Sequence, residues 1–320
     1  MHHFISGAAG FIGSHLADHL LERGDRVSGV DDFSLGRPEN LALAQQSPRF
    51  AFYEADITHP DVTVACLRAA SDWGGHPDMV WHLAANSDIA AGTTDASLDF
   101  KRTLQTTFSI IEGAKSARIS KIAFASSSAI YGELEEPLAE DSGPLLPISN
   151  YGATKLASEA LLSAACESYL EQVWIFRFPN VVGPRATHGA MFDFVGRLAS
   201  RPENLTVLGD GSQTKPYLYV TELIDAMQFI VTNASKLRNV FNIAPNGPGT
   251  SVAFIAEHVI EHVSPGIPIA YSGGDRGWVG DVPRFRYNTE RLKKLGWQPA
   301  LSSDEAVLRA IQEIDRKSVV

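Results

Sequence analysis

Cysteine is nearly absent from this chain of 320 residues: Cys66 and Cys166 stand alone. Two widely separated thiols supply neither a disulfide framework nor a clustered zinc site, and they fit a reducing compartment. Long apolar runs are missing as well. No stretch approaches the roughly 18 consecutive apolar residues that span a bilayer. The chain enters Phe4-Ile5-Ser6-Gly7 without a basic region or a small-residue cleavage site, so no secretory leader is expected. Positive charge is in deficit, with 27 Lys and Arg against 37 Asp and Glu and a net charge of −10. That argues against a nucleic-acid coat while leaving room for a local basic pocket around a phosphate. Ten histidines are present, yet no two form a helical pair with a nearby acid. His15 and His19 are four apart on a helix that should pack against a sheet, so no metal is expected.

What remains is an ordinary globular composition, 44% hydrophobic and 20% charged, which excludes a long disordered protein. The length exceeds what one core usually supports, so two domains are expected. Short β-branched or aromatic runs alternate with helical patterns through the first half. Strands are expected at His2–Ser6, Arg26–Asp31, Phe50–Asp56, Met79–Ala84, Lys121–Ser126 and Val173–Phe178. Helices fit between them at Phe11–Arg23, Asp61–Ser71, Leu98–Ala117 and Asn150–Tyr169. Within the third, Phe100, Leu104, Phe108 and Ile111 recur at helical spacing and predict one buried stripe. This alternation implies an α/β fold, a doubly wound parallel sheet covered on both faces. After Phe178 the chain becomes rich in proline and glycine, with a helix expected at Thr221–Val231 and one more strand at Asn239–Ile243 that can rejoin the sheet. A second domain built from insertions fits that texture.

Gly7-Ala8-Ala9-Gly10-Phe11-Ile12-Gly13 falls between the first strand and the first helix. One glycine permits a tight turn off the strand, another admits a pyrophosphate against backbone amides, and the last lets helix and strand pack closely. Asp31 ends the second strand 18 residues past Gly13, where a carboxylate can accept both hydroxyls of an adenosine ribose and repel a 2′-phosphate. Asp32 competes for that role. Asp56-Ile57 follows the third strand and either borders the adenine or forms a solvated turn.

Tyr151 and Lys155 lie four residues apart at the start of a helix, hence on one face. A phenol is a poor base at neutral pH, and a neighbouring ammonium favours its phenolate, so the pair can move a proton. Ser126-Ser127-Ser128-Ala129-Ile130-Tyr131-Gly132 and His82-Leu83-Ala84-Ala85 complete the motifs in order.

Taken together, these motifs resemble the extended short-chain dehydrogenase/reductase family over essentially the whole chain, and in particular its nucleotide-sugar epimerase/dehydratase branch. The resemblance implies a Rossmann-like domain at 1–178 that binds NAD, rejoined by about 217–244. A smaller nucleotide-sugar-binding domain would comprise 179–216 and 245–320. It implies Ser127, Tyr151 and Lys155 as catalytic residues, with Ser126 or Ser128 taking the serine's place if the register slips by one. It implies NAD contacts from Gly7, Gly10, Phe11, Ile12, Gly13, Asp31, Asp32, Phe33, Ser34, Gly36, Asp56, Ile57, Leu83, Ala84, Ala85, Ser87, Tyr151, Lys155 and Pro179. Thr103 stands where many relatives carry an asparagine near the cofactor ribose. For the substrate it implies Ser127, Asn180, Leu208, Lys215 in place of a phosphate-binding arginine, and Arg276, with Arg185 a weaker cation of the same kind. It also implies a homodimer in the cytoplasm, with neither nucleic acid nor membrane as partner.

Sugar-nucleotide 4,6-dehydratases carry an Asp-Glu pair directly after the catalytic hydroxyl, and decarboxylating relatives tend to carry a glutamate where Ala129 stands. Here those positions read Ser128-Ala129. The resemblance therefore points to a 4-epimerase of a UDP-hexose or UDP-hexuronate, through a 4-keto sugar that turns about its diphosphate and is reduced on the opposite face. Another nucleotide-sugar oxidoreductase, a 2- or 5-epimerase, or a silent NAD sensor are the competing readings. The intact Ser127, Tyr151 and Lys155 argue against the sensor.

Overall fold

The computed structural model describes residues 1–200, 202–274 and 285–314. Six parallel strands, β1 His2–Ser6, β2 Arg26–Asp31, β3 Phe50–Glu54, β4 Met79–His82, β5 Lys121–Ala125 and β6 Gln172–Arg177, form the main sheet. A seventh strand, Arg238–Asn242, joins it beside β6, and the order is β3-β2-β1-β4-β5-β6 followed by that strand. The chain winds outward from β1 to β3, then returns to lay β4 on the other side of β1. Such a reversal opens a crevice at the carboxyl ends of the strands, where doubly wound sheets take their ligands. The fold is Rossmann-like. Phe4, Val80, Ile122, Phe124, Val173 and Ile175 are fully buried or nearly so, as expected for strands covered on both faces. Each such side chain contributes about 1.5–3 kcal/mol of burial.

By contact density the chain divides into two units. The first comprises Met1–Gly132, Gly143–Arg177 and Met227–Phe241; the second comprises Glu133–Ser142, Phe178–Ala226 and the described chain from Asn242 on. The return to the sheet is thus narrower than 217–244, because Tyr217–Tyr219 pairs with Asn180–Val182 in the second unit. The excursion at Glu133–Ser142 was not foreseen; it is held by pairing of Leu138 with Tyr287. In the second unit Leu205–Val207 pairs with Ile269–Tyr271, and Thr214–Lys215 with Thr250–Ser251.

The expected helix at Leu98–Ala117 is broken into three pieces, Ala96–Asp99, a π-helical turn Phe100–Gln105 and Thr106–Ala117. Its expected buried stripe is corrected by the structure. Phe100 is 55% exposed and Phe108 47% exposed, while Ile111 is buried. The wider π turn rotates the faces, so that Thr103, Thr106, Thr107, Ile110 and Ala114 point inward instead.

Candidate functional site

Strand β1 ends at Ser6 and the chain turns at once through Gly7, whose φ is +75°. A Cβ there would lie 2.8 Å from the Ala84 amide nitrogen, and one on Gly13 would lie 2.0 Å from the Gly7 carbonyl oxygen. Both positions therefore exclude any larger residue, which is the close approach a dinucleotide loop demands. Helix α1, Phe11–Glu22, starts at Gly10 with no side-chain cap and no acid in its first turn. Its first amides are left to an outside acceptor, and an anion suits the positive end of the helix. Leu83, Ala84 and Ala85 continue from β4 beside this loop, with the Leu83 amide donating to the Ser6 carbonyl at 3.1 Å.

The loop is tied to the ribose acid. Asp31 is 9% exposed and its Oδ2 accepts from the Ala9 amide at 3.0 Å, while Oδ1 accepts from the Phe33 amide at 2.9 Å. Burial pushes this carboxyl up and those two amides hold it down. Asp32 is exposed and accepts from the Ser34 amide at 2.9 Å, so it closes a surface turn and leaves the inner position to Asp31. The turn is sharp: Phe33 sits at φ +57°, its ring 5.3 Å from that of Phe52, and a Cβ on Gly36 would come within 2.8 Å of Asp31 Oδ1. Asp56 is exposed and accepts from the Thr58 amide at 2.9 Å, whereas Ile57 is buried beside it. A cradle that only glycine can line, unspent helix amides and an inward carboxylate fit the diphosphate and ribose of NAD.

At the carboxyl end of β5 two neighbouring serines part ways. Ser126 is buried and donates to Glu159 Oε1 at 2.5 Å. Ser127 is half-buried, accepts from the Ala129 amide at 3.1 Å and acts on the Tyr151 phenol to lower its pKa. Ser126 is thereby turned towards Glu159, while Ser127 stays on the side of Tyr151. Tyr151 and Lys155 stand on helix Asn150–Ala165, whose start is capped by Ser149 accepting from the Gly152 amide at 3.1 Å. Gly152 lets this helix press onto the turn after Ser127, since a Cβ there would meet the Ala129 carbonyl at 2.3 Å.

Lys155 is 2% exposed, donates to the Ala125 carbonyl at 2.6 Å and lies 4.7 Å from the Phe124 ring centroid and 5.8 Å from that of Tyr151. Burial pulls its ammonium down to about 7, against the pull of Glu159 and Asp99. Burial pushes the Tyr151 phenol up to about 12; the Ser127 hydrogen bond works against this, and the Asp99 charge adds to it. Desolvation thus outweighs the expected ammonium effect on the phenol. His82 is also fully buried, between Ser6 at 2.8 Å and Thr107 at 2.9 Å, and burial, with the Lys155 charge, takes it down to about 3. It is a neutral strut.

The substrate-side expectations fall in the second unit. Asn180 is exposed and lies opposite Tyr217 in the strand pair, two residues beyond Lys215. Leu208 is 45% exposed in the turn after Leu205–Val207, and Gly209 pairs with Gly273. Pro179 is buried in this unit, and Arg185 adopts φ +69°. Arg276 lies outside the described residues.

Residues 3–244 match the NAD dependent epimerase/dehydratase family. The chain belongs to that family. It is 32% identical over 327 residues to UDP-glucose 4-epimerase of Mycolicibacterium smegmatis, covering 99% of this chain and 100% of that one. Among solved structures, UDP-glucose 4-epimerase of Thermotoga maritima with UDP-glucose matches with a TM-score of 0.85 at 29% identity over 100% of both chains. The Thermus thermophilus UDP-glucose 4-epimerase in complex with NAD matches equally well, with a TM-score of 0.85 at 26% identity over 100% of both chains. NAD is the cofactor of this epimerase/dehydratase.

Around the NAD-side site of this family member, Thr103 was expected near the cofactor ribose, whereas Asn86, Asn150, Glu159 and the ion pair of Arg177 escaped sequence reasoning. Thr103 is buried and accepts from the Asn86 amide at 3.1 Å, so its hydroxyl braces the loop that carries Ser87. Asn86 in turn donates to Asp99 at 2.9 Å, and Asn150 donates to the Gly92 carbonyl at 3.0 Å. Glu159 and Arg177, both buried, form an ion pair at 2.7 Å. The only signal for Glu159 was its place one turn beyond Lys155; for Arg177 it was a charge ending an apolar strand.

Proposed function

We propose that this protein is an NAD-dependent 4-epimerase of a UDP-hexose or UDP-hexuronate, with Ser127, Tyr151 and Lys155 as its catalytic set. One observation carries the reading. Ser127 acts on the Tyr151 phenol beside a buried Lys155, and the two residues that follow the serine, Ser128 and Ala129, bring no carboxyl group to the site. A secondary alcohol can be oxidised there, but Ser128 and Ala129 supply no acid and base to remove water.

The loop Gly7–Gly13, with the first amides of α1, would hold the diphosphate of NAD, and Asp31 would take its adenosine ribose. Bound NAD would supply a site that accepts a hydride from C4 of the sugar and gives it back. Tyr151 would take the proton of the C4 hydroxyl and return it to the same oxygen on the other face. Ser127 would hold that oxygen. Lys155, as an ammonium, would favour the phenolate form of Tyr151 through the field of its charge, so that the phenolate can accept that proton and give it back. Asn180, Lys215 and Arg276 are proposed to grip the sugar diphosphate, and Leu208 to border the base. A grip on the diphosphate alone leaves the sugar free to turn, which is what inversion at C4 requires.

The proposal includes a homodimer. Phe100, Phe108 and Leu161 are exposed apolar residues on neighbouring helical segments of the first unit, and a second copy of the same face would cover them. It also includes a reducing, cytoplasmic setting, which suits two buried free thiols at Cys66 and Cys166. Among the described residues no helix is long and apolar enough to cross a membrane. Incubation with a panel of UDP-hexoses and UDP-hexuronates, read by product NMR, tests the reading. At least one should equilibrate with its C4 epimer; turnover of none, or net accumulation of NADH, would refute it.

A further inference from the structure

Beneath Ser127, Tyr151 and Lys155 lies a second polar cluster that no proposed step uses. Glu159 follows Lys155 by one helical turn and is 6% exposed. Its carboxylate accepts from Arg177 through Nε at 3.0 Å and Nη2 at 2.7 Å, and from the Ser126 hydroxyl at 2.5 Å. Arg177 also donates from Nη1 to the Tyr131 hydroxyl at 3.0 Å. One carboxylate therefore ties the residue after β5 and the end of β6 to the helix of Tyr151, and through Arg177 reaches the last residue of the turn Ser128–Tyr131. Ser127 stands between the two tied ends. Stability alone does not call for such a pair, since apolar residues of similar volume usually replace a buried ion pair at little cost.

Lys155 meets charge from several elements. Glu159 lies on its own helix, Asp99 comes from the short helix Ala96–Asp99, neutral His82 from the end of β4, and Tyr151 from one turn earlier. Arg177, on β6, is offset by its bidentate bond to Glu159. Of the two carboxylates that hold the ammonium charged, Glu159 acts more strongly.

We propose that Glu159 is a positioning residue of the reaction: it fixes Ser126 and Arg177 so that Ser127 keeps its place at Tyr151, and its charge keeps buried Lys155 an ammonium. This rests on the reading of Ser127, Tyr151 and Lys155 as the catalytic set. Loss of the carboxylate makes Lys155 release its proton at lower pH, so the high-pH limb of turnover should move down with it.

The test compares Glu159→Asp with the double variant Glu159→Gln/Arg177→Met, which removes both charges and leaves no unpaired arginine. Lys155 is titrated directly by NMR of protein carrying [13Cε]-lysine, its signal assigned with Lys155→Arg, and kcat and KM are followed from pH 6 to pH 9. In the double variant the Lys155 midpoint and the high-pH limb of kcat should both fall by about one unit or more, which costs about tenfold in turnover above the limb. At pH 6 turnover should fall by a smaller factor, from the displaced Ser127 alone, KM should change far less, and Glu159→Asp should restore most of the profile. An unchanged Lys155 midpoint in the folded double variant would overturn the proposal, as would a kcat unchanged at every pH. Failure of the double variant to fold would mark the pair as structural and overturn it too. If the unmutated protein epimerises no UDP-sugar, the catalytic reading falls instead, while the lysine titration still decides whether Glu159 holds Lys155 charged.

Discussion

At Tyr151 and Lys155 burial acts in opposite senses, taking the phenol up to about 12 and the ammonium down to about 7. Each group is thereby pushed towards its neutral form, so in the proposed reaction the Lys155 charge has to favour the phenolate that accepts the hydroxyl proton. Replacing Tyr151 with Phe removes only the phenol hydroxyl, so folding and NAD affinity should persist. Turnover should fall about 10²–10⁴-fold, the range of a general acid–base group. Steady-state kinetics beside calorimetric NAD titration checks this, and near-normal turnover would remove Tyr151 from the chemistry. Asp31 invites a second substitution. Its carboxylate faces the loop amide of Ala9, where a 2′-phosphate would meet like charge. Asp31→Ser should narrow the preference for NAD over NADP, measured as the ratio of the two dissociation constants. A ratio near one in the unmutated protein would contradict the assignment. The placement of both residues was legible because their signals are local: a helical turn between Tyr151 and Lys155, and a strand end at a fixed distance from a glycine loop. The serine was less so. Ser126, Ser127 and Ser128 are chemically alike, and only the direction of each side chain at the strand end separates them; the bond from Ser126 to Glu159 turns that hydroxyl away from Tyr151.

Among the elements, the loop between β1 and α1 and the strand order were readable because alternation of strand and helix constrains topology strongly. The segment after Ala96 was not. Its apolar residues recur at helical spacing, and periodicity identifies a face without saying what covers it. The π turn at Phe100–Gln105 inserts a wider coil and places threonines inward, bracing Asn86 and His82, while Phe100 and Phe108 turn out. If a second copy covers them, Phe108→Glu buries a charge in that contact. The variant should elute at half the unmutated mass by light scattering at low protein concentration, with an unchanged circular dichroism spectrum. Equal masses for the two proteins would place the contact elsewhere or exclude it. The excursion Glu133–Ser142 and the pairings of the second unit were illegible for another reason. They depend on contacts between segments far apart in sequence, such as Leu138 with Tyr287, and no local pattern records them.

For the molecule as a whole, the groups divide by task. The first unit carries the glycine loop, Asp31 and the Ser127, Tyr151 and Lys155 set, whereas Asn180, Leu208 and Lys215 belong to the second. A net charge of −10 leaves anionic ligands to be held by specific amides and a few placed cations, not by an overall field. The reaction proposed from these parts takes a hydride from one carbon and returns it to the same carbon, so nothing is consumed and the cofactor stays in place. That return, on the opposite face and with the carbon skeleton intact, separates a 4-epimerase from net oxidation and from epimerisation at C2 or C5. The decisive measurement uses a UDP-hexose or UDP-hexuronate labelled with deuterium at C4, incubated with the purified protein in ordinary water and read by NMR. The inverted product should keep its deuterium at C4, with no stoichiometric NADH. Loss of the label to water, or solvent hydrogen entering C3 or C5, would contradict the account.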